Sequence, residues 1–365
     1  MAQILCVIGT RPEAIKMAPV ILALKEQPWA AVRVLATAQH RHMLDQVLNF
    51  FGIDPDIDLD IMRPNQALTT LTARLLLDLD DVLQAEKPDV VLVQGDTTTV
   101  MTVALACFYH RIPIGHVEAG LRTWDMQNPF PEEANRVIAG KLARWHFAPT
   151  EGSRQNLLRE GVPDSEIIVT GNTVIDALLM TAAKDLEIGI DLDANKRLVL
   201  ITSHRRENFG EPFRNICRAF RTLAENNPEV QFLYPVHPNP NVKDVVYEFL
   251  AGLPNFTLCE PLDYAPFIAA MKRACFILTD SGGVQEEAPA LGKPVLVLRD
   301  ETERPEAVEQ GVVKLVGPNY ERIVEEAQLL LDDEAAYKAM ARGVSPYGDG
   351  HAAERIVKTL REHFT

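Results

Sequence analysis

Residues 276–287 have the sequence FILTDSGGVQEE, in which an apolar run leads into two adjacent glycines and then into a polar stretch. A strand that passes through a glycine turn into a helix is a building unit of nucleotide-binding parallel sheets. Gly282 and Gly283 allow backbone amides to approach a diphosphate at the start of that helix. Because a helix cap alone does not need two adjacent glycines, the segment predicts a phosphate-binding strand end.

Short apolar runs of this kind alternate with amphipathic stretches along the whole chain. Runs that are apolar without alternation are typical of strands buried on both faces, so we expect an α/β fold with doubly wound parallel sheets. The spacing of Leu71, Leu75 and Leu79 predicts a helix over Leu68–Glu86. The predicted strands are Ile4–Ile8, Val32–Ala36, Val90–Val93, Ile112–Val117, Ile167–Thr170, Leu198–Thr202, Val230–Pro235, Phe256–Cys259, Phe276–Thr279, Val295–Leu298 and Val313–Val316.

The length of 365 residues favours two domains, because a domain has typically about 150 residues. The polar stretch at 185–196 predicts the boundary, with one Rossmann-like domain over 1–185 and a second over 186–350. Residues 351–365 are predicted to form a last helix, which docks on the second domain or crosses back to the first. If the two domains face each other, their strand ends border one central cleft, where we expect the ligand.

Composition excludes several classes of protein. The hydrophobic fraction of 47% and the charged fraction of 24% are typical of globular domains, not of disordered chains. The net charge of −15 argues against nucleic acid or an anionic membrane as partner. The five cysteines are an odd number without a CxxC spacing, so neither a zinc ribbon nor a disulfide framework is expected. No apolar stretch reaches the roughly 18 residues of a membrane helix, and a cytoplasmic location is expected.

Three carboxylates occupy positions typical of a site. Asp96 and Glu118 each follow a predicted strand, and Glu132 opens a predicted helix. Each has a plainer alternative role, since Asp96 could cap a helix and Glu132 could complement a helix dipole. Because the carboxyl ends of parallel strands meet at one edge of a sheet, we expect the three to converge and to perform acid–base chemistry.

Basic residues also follow predicted strands. Arg11 and Lys16 lie after the first strand and suit a phosphate, although a surface loop with two ordinary basic residues is the alternative. His204 stands beside two arginines and could act as acid, base or phosphate donor, and His237 follows the next strand. The sequence lacks GxGxxG, GxxxxGK[ST] and HExxH, so no nicotinamide cofactor, P-loop or metal site is predicted.

The chain resembles the non-hydrolysing UDP-N-acetylglucosamine 2-epimerases of bacteria. The resemblance implies the two-domain GT-B fold and a cofactor-free interconversion of UDP-N-acetylglucosamine (UDP-GlcNAc) and UDP-N-acetylmannosamine (UDP-ManNAc). In that reaction UDP leaves the sugar, 2-acetamidoglucal forms, and UDP adds back. The matching motifs are GTRPEAIKMAP (9–19), AQHRHMLDQVL (38–48), GDTTT (95–99), GHVEAGLRT (115–123), PEEANR (131–136), TGNTVIDALL (170–179), HRREN (204–208), LTDSGGVQEEAP (278–289), LGKPVLVLRD (291–300), TERPEAV (302–308) and PYGDG (346–350).

The resemblance also assigns site residues. It places the acid–base roles on Asp96, Glu118, Glu132 and His204. It implies UDP contacts at Arg11, Lys16, Asp96, Glu118, His204, the Leu262–Phe267 loop with Leu262 and Phe267 at the uracil, Ser281, Gly282, Gly283, Glu287 and Arg304. It implies a second, activating UDP-GlcNAc at Gln39, His42, Asn65, Glu132, Arg205 and His237. The sequence departs from the family pattern at His42 and Asn65. The resemblance further implies a homodimer and a supply of ManNAc for cell-surface polysaccharide.

Three other functions are alternatives. A 2-epimerase of a UDP-diacetamido sugar acid would need a further basic residue at the sugar. A GT-B glycosyltransferase would share the nucleotide site and would need an acceptor groove, but it has no reason to place three carboxylates around the sugar. A regulatory module would bind the nucleotide sugar without turnover.

Overall fold

The chain forms two compact units. The structure, a computed structural model, describes residues 1–37, 41–61, 63 and 66–365, and for 41–43 the backbone alone. The first unit comprises Met1–Met180 and Tyr347–Thr365, and the second comprises Thr181–Pro346. The chain leaves the first unit a few residues before the boundary predicted at 185/186.

A parallel sheet forms the centre of the first unit. Its strands are β1 (Ala2–Ile8), β2 (Ala30–Ala36), β3 (Ile57–Asp58), β4 (Val90–Gln94), β5 (Ile114–Val117), β6 (Trp145–Ala148) and β7 (Ile167–Val169). They pair in the order β3-β2-β1-β4-β5-β6-β7. The strand order reverses between β1 and β4, so the loops after these two strands lie at the switch point where parallel α/β sheets bind ligands.

The helices of the first unit begin at identifiable caps. They are α1 (Arg11–Lys25), α2 (Arg41–Phe51), α3 (Leu68–Glu86), α4 (Thr98–His110), α5 (Glu132–Leu142), α6 (Glu151–Arg159) and α7 (Thr173–Ala182), whose last two residues belong to the second unit. The Thr97 hydroxyl accepts a hydrogen bond from the Val100 N–H at 3.3 Å and caps α4. The alternative role of Asp96 as the helix cap is therefore wrong, and its carboxylate is available for other contacts.

The second unit repeats the parallel architecture. Its strands are β8 (Arg197–Thr202), β9 (Val230–Pro235), β10 (Phe256–Cys259), β11 (Phe276–Thr279), β12 (Val295–Val297) and β13 (Val313–Leu315), paired in the order β10-β9-β8-β11-β12-β13. Its helices are α8 (Glu211–Asn226), α9 (Pro240–Leu250), α10 (Tyr264–Arg273), α11 (Gly282–Ala290), α12 (Pro305–Glu309), α13 (Tyr320–Asp332) and α14 (Glu334–Met340). Here the order reverses between β8 and β11, which places the loops after these strands at the second switch point.

Most predicted strands form, with small differences at their ends. The strand predicted from Ile112 begins at Ile114, because the chain first closes the turn after α4 through a hydrogen bond from the Ile112 N–H to the Cys107 carbonyl. Thr170, Leu298 and Val316 were predicted as strand ends but follow β7, β12 and β13. Strands β3 and β6 were not predicted.

Close packing in the first sheet depends on a glycine. A Cβ atom on Gly115 in β5 would lie 2.6 Å from a Leu92 side-chain carbon and 3.0 Å from the Phe147 ring. The first contact is shorter than real Cβ atoms make and the second is tight, so a larger residue here would require the Leu92 and Phe147 side chains to move.

The last helix, α15 (Ala352–Phe364), belongs to the first unit and packs against α1. The Asp176 carboxylate on α7 accepts hydrogen bonds from the backbone N–H groups of Ala352 at 3.3 Å and Ala353 at 2.8 Å. Just before the helix, the Tyr347 carbonyl accepts the Asn172 N–H at 2.6 Å. The returning chain is thus fastened to the loop that follows β7.

Two further findings concern the described residues. None of their helices combines the length and the apolar character that spanning a membrane requires. All five cysteines are free thiols, and burial raises the pKa of Cys6, Cys107 and Cys217 to about 12, which makes these thiols unreactive.

Replacing Asp176 by alanine should lower the free energy of unfolding by about 2 kcal/mol, since two buried N–H groups of α15 lose their acceptor. Urea unfolding gives the free energy, and hydrogen exchange should show lost protection at Ala352 and Ala353. The control is Asp349→Ala, which breaks an exposed ion pair with Arg355 and should cost less than about 1 kcal/mol. Equal losses for both variants would contradict the role of Asp176.

Candidate active site

Asp96 lies directly beyond β4, at the first switch point. Its Oδ2 accepts a hydrogen bond from the Arg136 guanidinium at 2.6 Å, and its backbone carbonyl accepts one from the Asn135 amide at 2.9 Å. Burial raises the pKa of Asp96 above its usual value, although Arg136 lowers it, and the charges of Glu118 and Glu132 raise it further. This carboxyl therefore holds a proton more readily than an exposed aspartate does.

Glu118 follows β5 and is held by three donors. Its Oε1 accepts from Lys16 Nζ at 2.6 Å and from the Asn172 amide at 3.0 Å, and its Oε2 accepts from the Gln94 amide. Its backbone has a φ of 65°, in the left-handed region that side chains other than glycine rarely adopt. The strained backbone and the three donors fix the carboxylate in one position.

Glu132 and Glu133 are neighbours with different surroundings. Glu133 is only 1% exposed, and it accepts hydrogen bonds from the backbone N–H groups of Thr123 at 3.1 Å and Trp124 at 3.0 Å. It therefore holds the preceding loop in place. Glu132 is the first residue of α5 and lies near enough to Asp96 to raise the pKa of that carboxyl. We call Asp96, Glu118 and Glu132, with Lys16 and Arg136, the carboxylate cluster.

Two buried groups support the loops that carry this cluster. Glu13, in the first turn of α1, accepts the Gly9 N–H at 2.6 Å, and burial raises its pKa to about 7. Its carboxyl closes the loop that precedes Arg11 and Lys16. Nε2 of His116 lies 2.7 Å from the Gly95 carbonyl. Burial lowers the pKa of His116 to about 4, so the ring is neutral and its N–H supports the turn before Asp96.

In the second unit, His204 follows β8 and His237 follows β9. Their rings stack with centroids 5.2 Å apart and an angle of 14° between the planes. Burial lowers the pKa of His204, the charge of Asp280 raises it, and His237 and Arg205 lower it. The His204 ring is thus largely neutral at neutral pH, so it can accept as well as donate a proton.

The start of α11 is shaped for an anion. Gly282 is the first residue of the helix, and a Cβ atom there would lie 2.8 Å from the Arg304 guanidinium. Arg304 is held by Glu286, whose Oε1 accepts from Nε at 2.5 Å. The guanidinium and the helix N-terminus both contribute positive electrostatic potential at the same place, which suits a phosphate group. Glu287 lies one turn further along the same helix.

The predicted site residues divide between the two units. The first unit carries Arg11, Lys16, Asp96, Glu118 and Glu132, and the second carries His204, Arg205, His237, Leu262, Phe267, Ser281, Gly282, Gly283, Glu287 and Arg304. The segment predicted as a loop at the uracil is partly helical, because α10 begins at Tyr264 and includes Phe267. Gln39 and Asn65 lie outside the described residues, as does the side chain of His42.

Sequence reasoning missed four residues of these clusters. Gln94 and Asn172 hold Glu118, Arg136 pairs with Asp96, and Asp280 faces His204. Asp280 follows a strand directly, so the rule that selected Asp96 could have found it. Within the described ranges, no three His, Cys, Asp or Glu side chains form a group that could hold a metal ion.

Comparison with known proteins gives consistent matches over nearly the whole chain. A family described as UDP-N-acetylglucosamine 2-epimerase matches residues 22–361. A UDP-N-acetylglucosamine 2-epimerase of Yersinia pestis is 57% identical over 99% of both chains. The protein of the same name from Escherichia coli K12 is 54% identical, again over 99% of both chains. A crystal structure of the Neisseria meningitidis UDP-GlcNAc 2-epimerase bound to UDP-GlcNAc has a TM-score of 0.89 and 50% identity, covering 99% of this chain and 100% of that one.

These matches settle the class of protein. The predicted fold class is confirmed, with two Rossmann-like parallel-sheet domains of the GT-B type. The chain belongs to the UDP-N-acetylglucosamine 2-epimerase family.

The buried carboxyl of Glu13 should make stability depend on pH. The folded protein binds this proton more tightly than the unfolded chain, since the pKa is about 7 against 4.5. The free energy of unfolding should therefore fall as pH rises between these two values, by about 3 kcal/mol, and change no further above them.

The variant Glu13→Gln should lack most of this fall, whereas Glu26→Gln, an exposed position at the other end of the same helix, should keep it. Urea unfolding at pH 5 and pH 8 measures the difference. The same fall in Glu13→Gln as in the parent protein would show that Glu13 does not cause it.

Proposed function

We propose that the protein is a non-hydrolysing 2-epimerase that interconverts UDP-GlcNAc and UDP-ManNAc. The carboxylate cluster is the observation that carries this proposal, because inversion of a sugar carbon needs groups that take up and deliver protons. The names of the bacterial relatives, and the UDP-GlcNAc bound to the meningococcal relative, support the choice of substrate.

The chemistry of the substrate limits the mechanism. The proton on C2 lies beside an acetamido group and not beside a carbonyl, so direct deprotonation is not feasible. In the proposed route a base removes the C2 proton, its electron pair forms the C1–C2 double bond, and the C1–O bond breaks with its pair leaving on UDP. UDP then adds back to 2-acetamidoglucal while C2 receives a proton on the opposite face.

Asp96, Glu118, Glu132 and His204 are the proposed acid–base groups. The raised pKa of Asp96 supports a role in which it holds and releases a proton. The three donors on Glu118 support a role as a fixed carboxylate. Which carboxylate removes the proton and which returns it stays open.

UDP is proposed to bind through phosphate, ribose and uracil contacts. The start of α11 with Arg304 supports diphosphate binding at Ser281, Gly282 and Gly283. The other proposed contacts are Arg11, Lys16 and His204 for the diphosphate, Glu287 for the ribose, and Leu262 and Phe267 for the uracil. Each donor aimed at charge developing on the leaving diphosphate contributes roughly 10²–10³ in rate.

Further properties follow from the family resemblance alone. These are an activating second UDP-GlcNAc at Gln39, His42, Asn65, Glu132, Arg205 and His237, a homodimer, a cytoplasmic location, catalysis without a cofactor, and use of the product in cell-surface polysaccharide. They stay proposals.

Incubation with UDP-GlcNAc in D₂O tests the function. Proton NMR should show deuterium entering C2 and an equilibrium with UDP-ManNAc, without added nicotinamide cofactor or metal. Retention of the C2 proton with no new sugar would contradict the proposal. Release of free UDP with transfer to an acceptor would indicate a glycosyltransferase.

The variants Asp96→Asn and Glu132→Gln should slow C2 exchange by at least about a hundredfold, because each loses a proton-carrying group. Calorimetry should show that UDP still binds, since the contacts proposed at Arg11, Lys16, His204 and the start of α11 remain. Asp81→Asn, an exposed position on α3, is the matched control and should exchange normally. Normal exchange in either active-site variant removes that residue from the mechanism.

A further inference from the structure

Asp280 is a fully buried carboxylate at the second switch point. It follows β11 and has 0% of its surface exposed. Its Oδ2 accepts from the Ser203 hydroxyl at 2.8 Å, from the backbone N–H groups of His204 at 2.8 Å and Arg205 at 2.9 Å, and from the Asn208 amide at 3.4 Å. Four donors on one oxygen hold the side chain in one orientation and tie it to the loop after β8.

The second oxygen of this carboxylate is left for another partner. Oδ1 of Asp280 is buried and has no hydrogen bond within the described part of the chain. The nearest basic atom given by the structure is His204 Nδ1, at 3.9 Å, which is within ion-pair range but too long for a hydrogen bond. A buried carboxylate oxygen without a donor is destabilising. A shift of about 1 Å would bring the His204 ring nitrogen within hydrogen-bond distance of it.

The remaining groups around His204 oppose its protonation. His237 stacks on the ring, and Arg205 is the next residue along the chain. Both lower the pKa of His204, as does burial, whereas Asp280 raises it. Asp280 is therefore the group that stabilises an imidazolium at this position.

We propose that Asp280 is a positioning residue for His204. Its Oδ1 accepts a hydrogen bond from the Nδ1–H of His204. The ring therefore presents the lone pair of Nε2 to the substrate and becomes a stabilised imidazolium when Nε2 takes a proton. When Nε2 returns that proton, the ring is neutral again. This inference rests on the proposed function in one respect, namely that His204 contacts the substrate.

A purely structural role would use Oδ2 alone. Four donors to Oδ2 would close the loop after β8 whether or not Oδ1 had a partner. The two roles therefore differ in the tautomer and the pKa of His204, which can be measured directly.

The first test uses the unchanged protein. Nitrogen-15 NMR of the histidine rings, assigned to His204 with a His204→Gln variant, should show the neutral ring protonated at Nδ1. Protonation at Nε2 instead would overturn the proposal, and this result does not depend on any variant of Asp280 folding.

The second test is Asp280→Asn. The amide oxygen should occupy the position of Oδ2, because the four donors there require an acceptor. The NH₂ group then occupies the position of Oδ1. It donates to Nδ1, so the ring proton should move to Nε2 and the pKa of His204 should fall. We expect kcat to drop by at least about a hundredfold while the Kd for UDP changes less than about threefold.

Ser203→Ala is the matched control, since it removes one donor from Oδ2 and leaves Oδ1 in place. It should keep the tautomer and the pKa of His204. If both variants lowered activity equally with the tautomer unchanged, Asp280 would be a loop anchor only. If the parent protein kept the Nδ1–H tautomer but did not epimerise UDP-GlcNAc, the proposed function would fail while the pairing of Asp280 with His204 would stand.

Discussion

The ion pairs of Lys16 with Glu118 and of Arg136 with Asp96, both at 2.6 Å, allow several carboxylates to stand together at the end of the first sheet. Each carboxylate raises the energy of ionising its neighbour, and burial adds to this cost. Without the two cations, the carboxylates would take up protons or turn towards solvent. With them, the carboxylates can lie close together, which the proposed acid–base chemistry requires.

In the second unit, the start of α11 and His204 follow two neighbouring strands. The helix that begins at Gly282 has the positive end of its dipole there, and the Arg304 guanidinium lies beside it. Asp280 lies between β11 and this helix start and faces His204, which follows the neighbouring strand β8. Because both strand ends meet at the switch point, the start of α11 and His204 lie close together.

Local sequence patterns predict the strands and helices better than they predict the side-chain contacts of the candidate site. The strands Val230–Pro235, Phe256–Cys259 and Phe276–Thr279 and the helix Leu68–Glu86 form as predicted, because continuous apolar runs and helical spacing are strong signals over several turns or pleats. Strand β3 has two residues, too few for any periodicity to register. The sequence also led to the three carboxylates, because residues at parallel strand ends share one edge of a sheet.

The partners of those carboxylates could not be predicted in the same way. The donors to Glu118 lie 102, 54 and 24 residues away along the chain, at Lys16, Asn172 and Gln94, and no local pattern joins them. Arg136, which pairs with Asp96, lies 40 residues further along the chain. Such tertiary partners cannot be read from a local pattern.

Breakage of the C1–O bond is the central claim, and isotope scrambling tests it most directly. UDP-GlcNAc carrying oxygen-18 in the bridge between C1 and the β-phosphorus is incubated with the protein and followed by phosphorus-31 NMR. If UDP departs and returns, the β-phosphate can rotate, and the label should appear in non-bridging positions as epimerisation proceeds. Epimerisation with the label retained in the bridge would mean that C2 inverts while the C1–O bond stays intact, and would contradict the account.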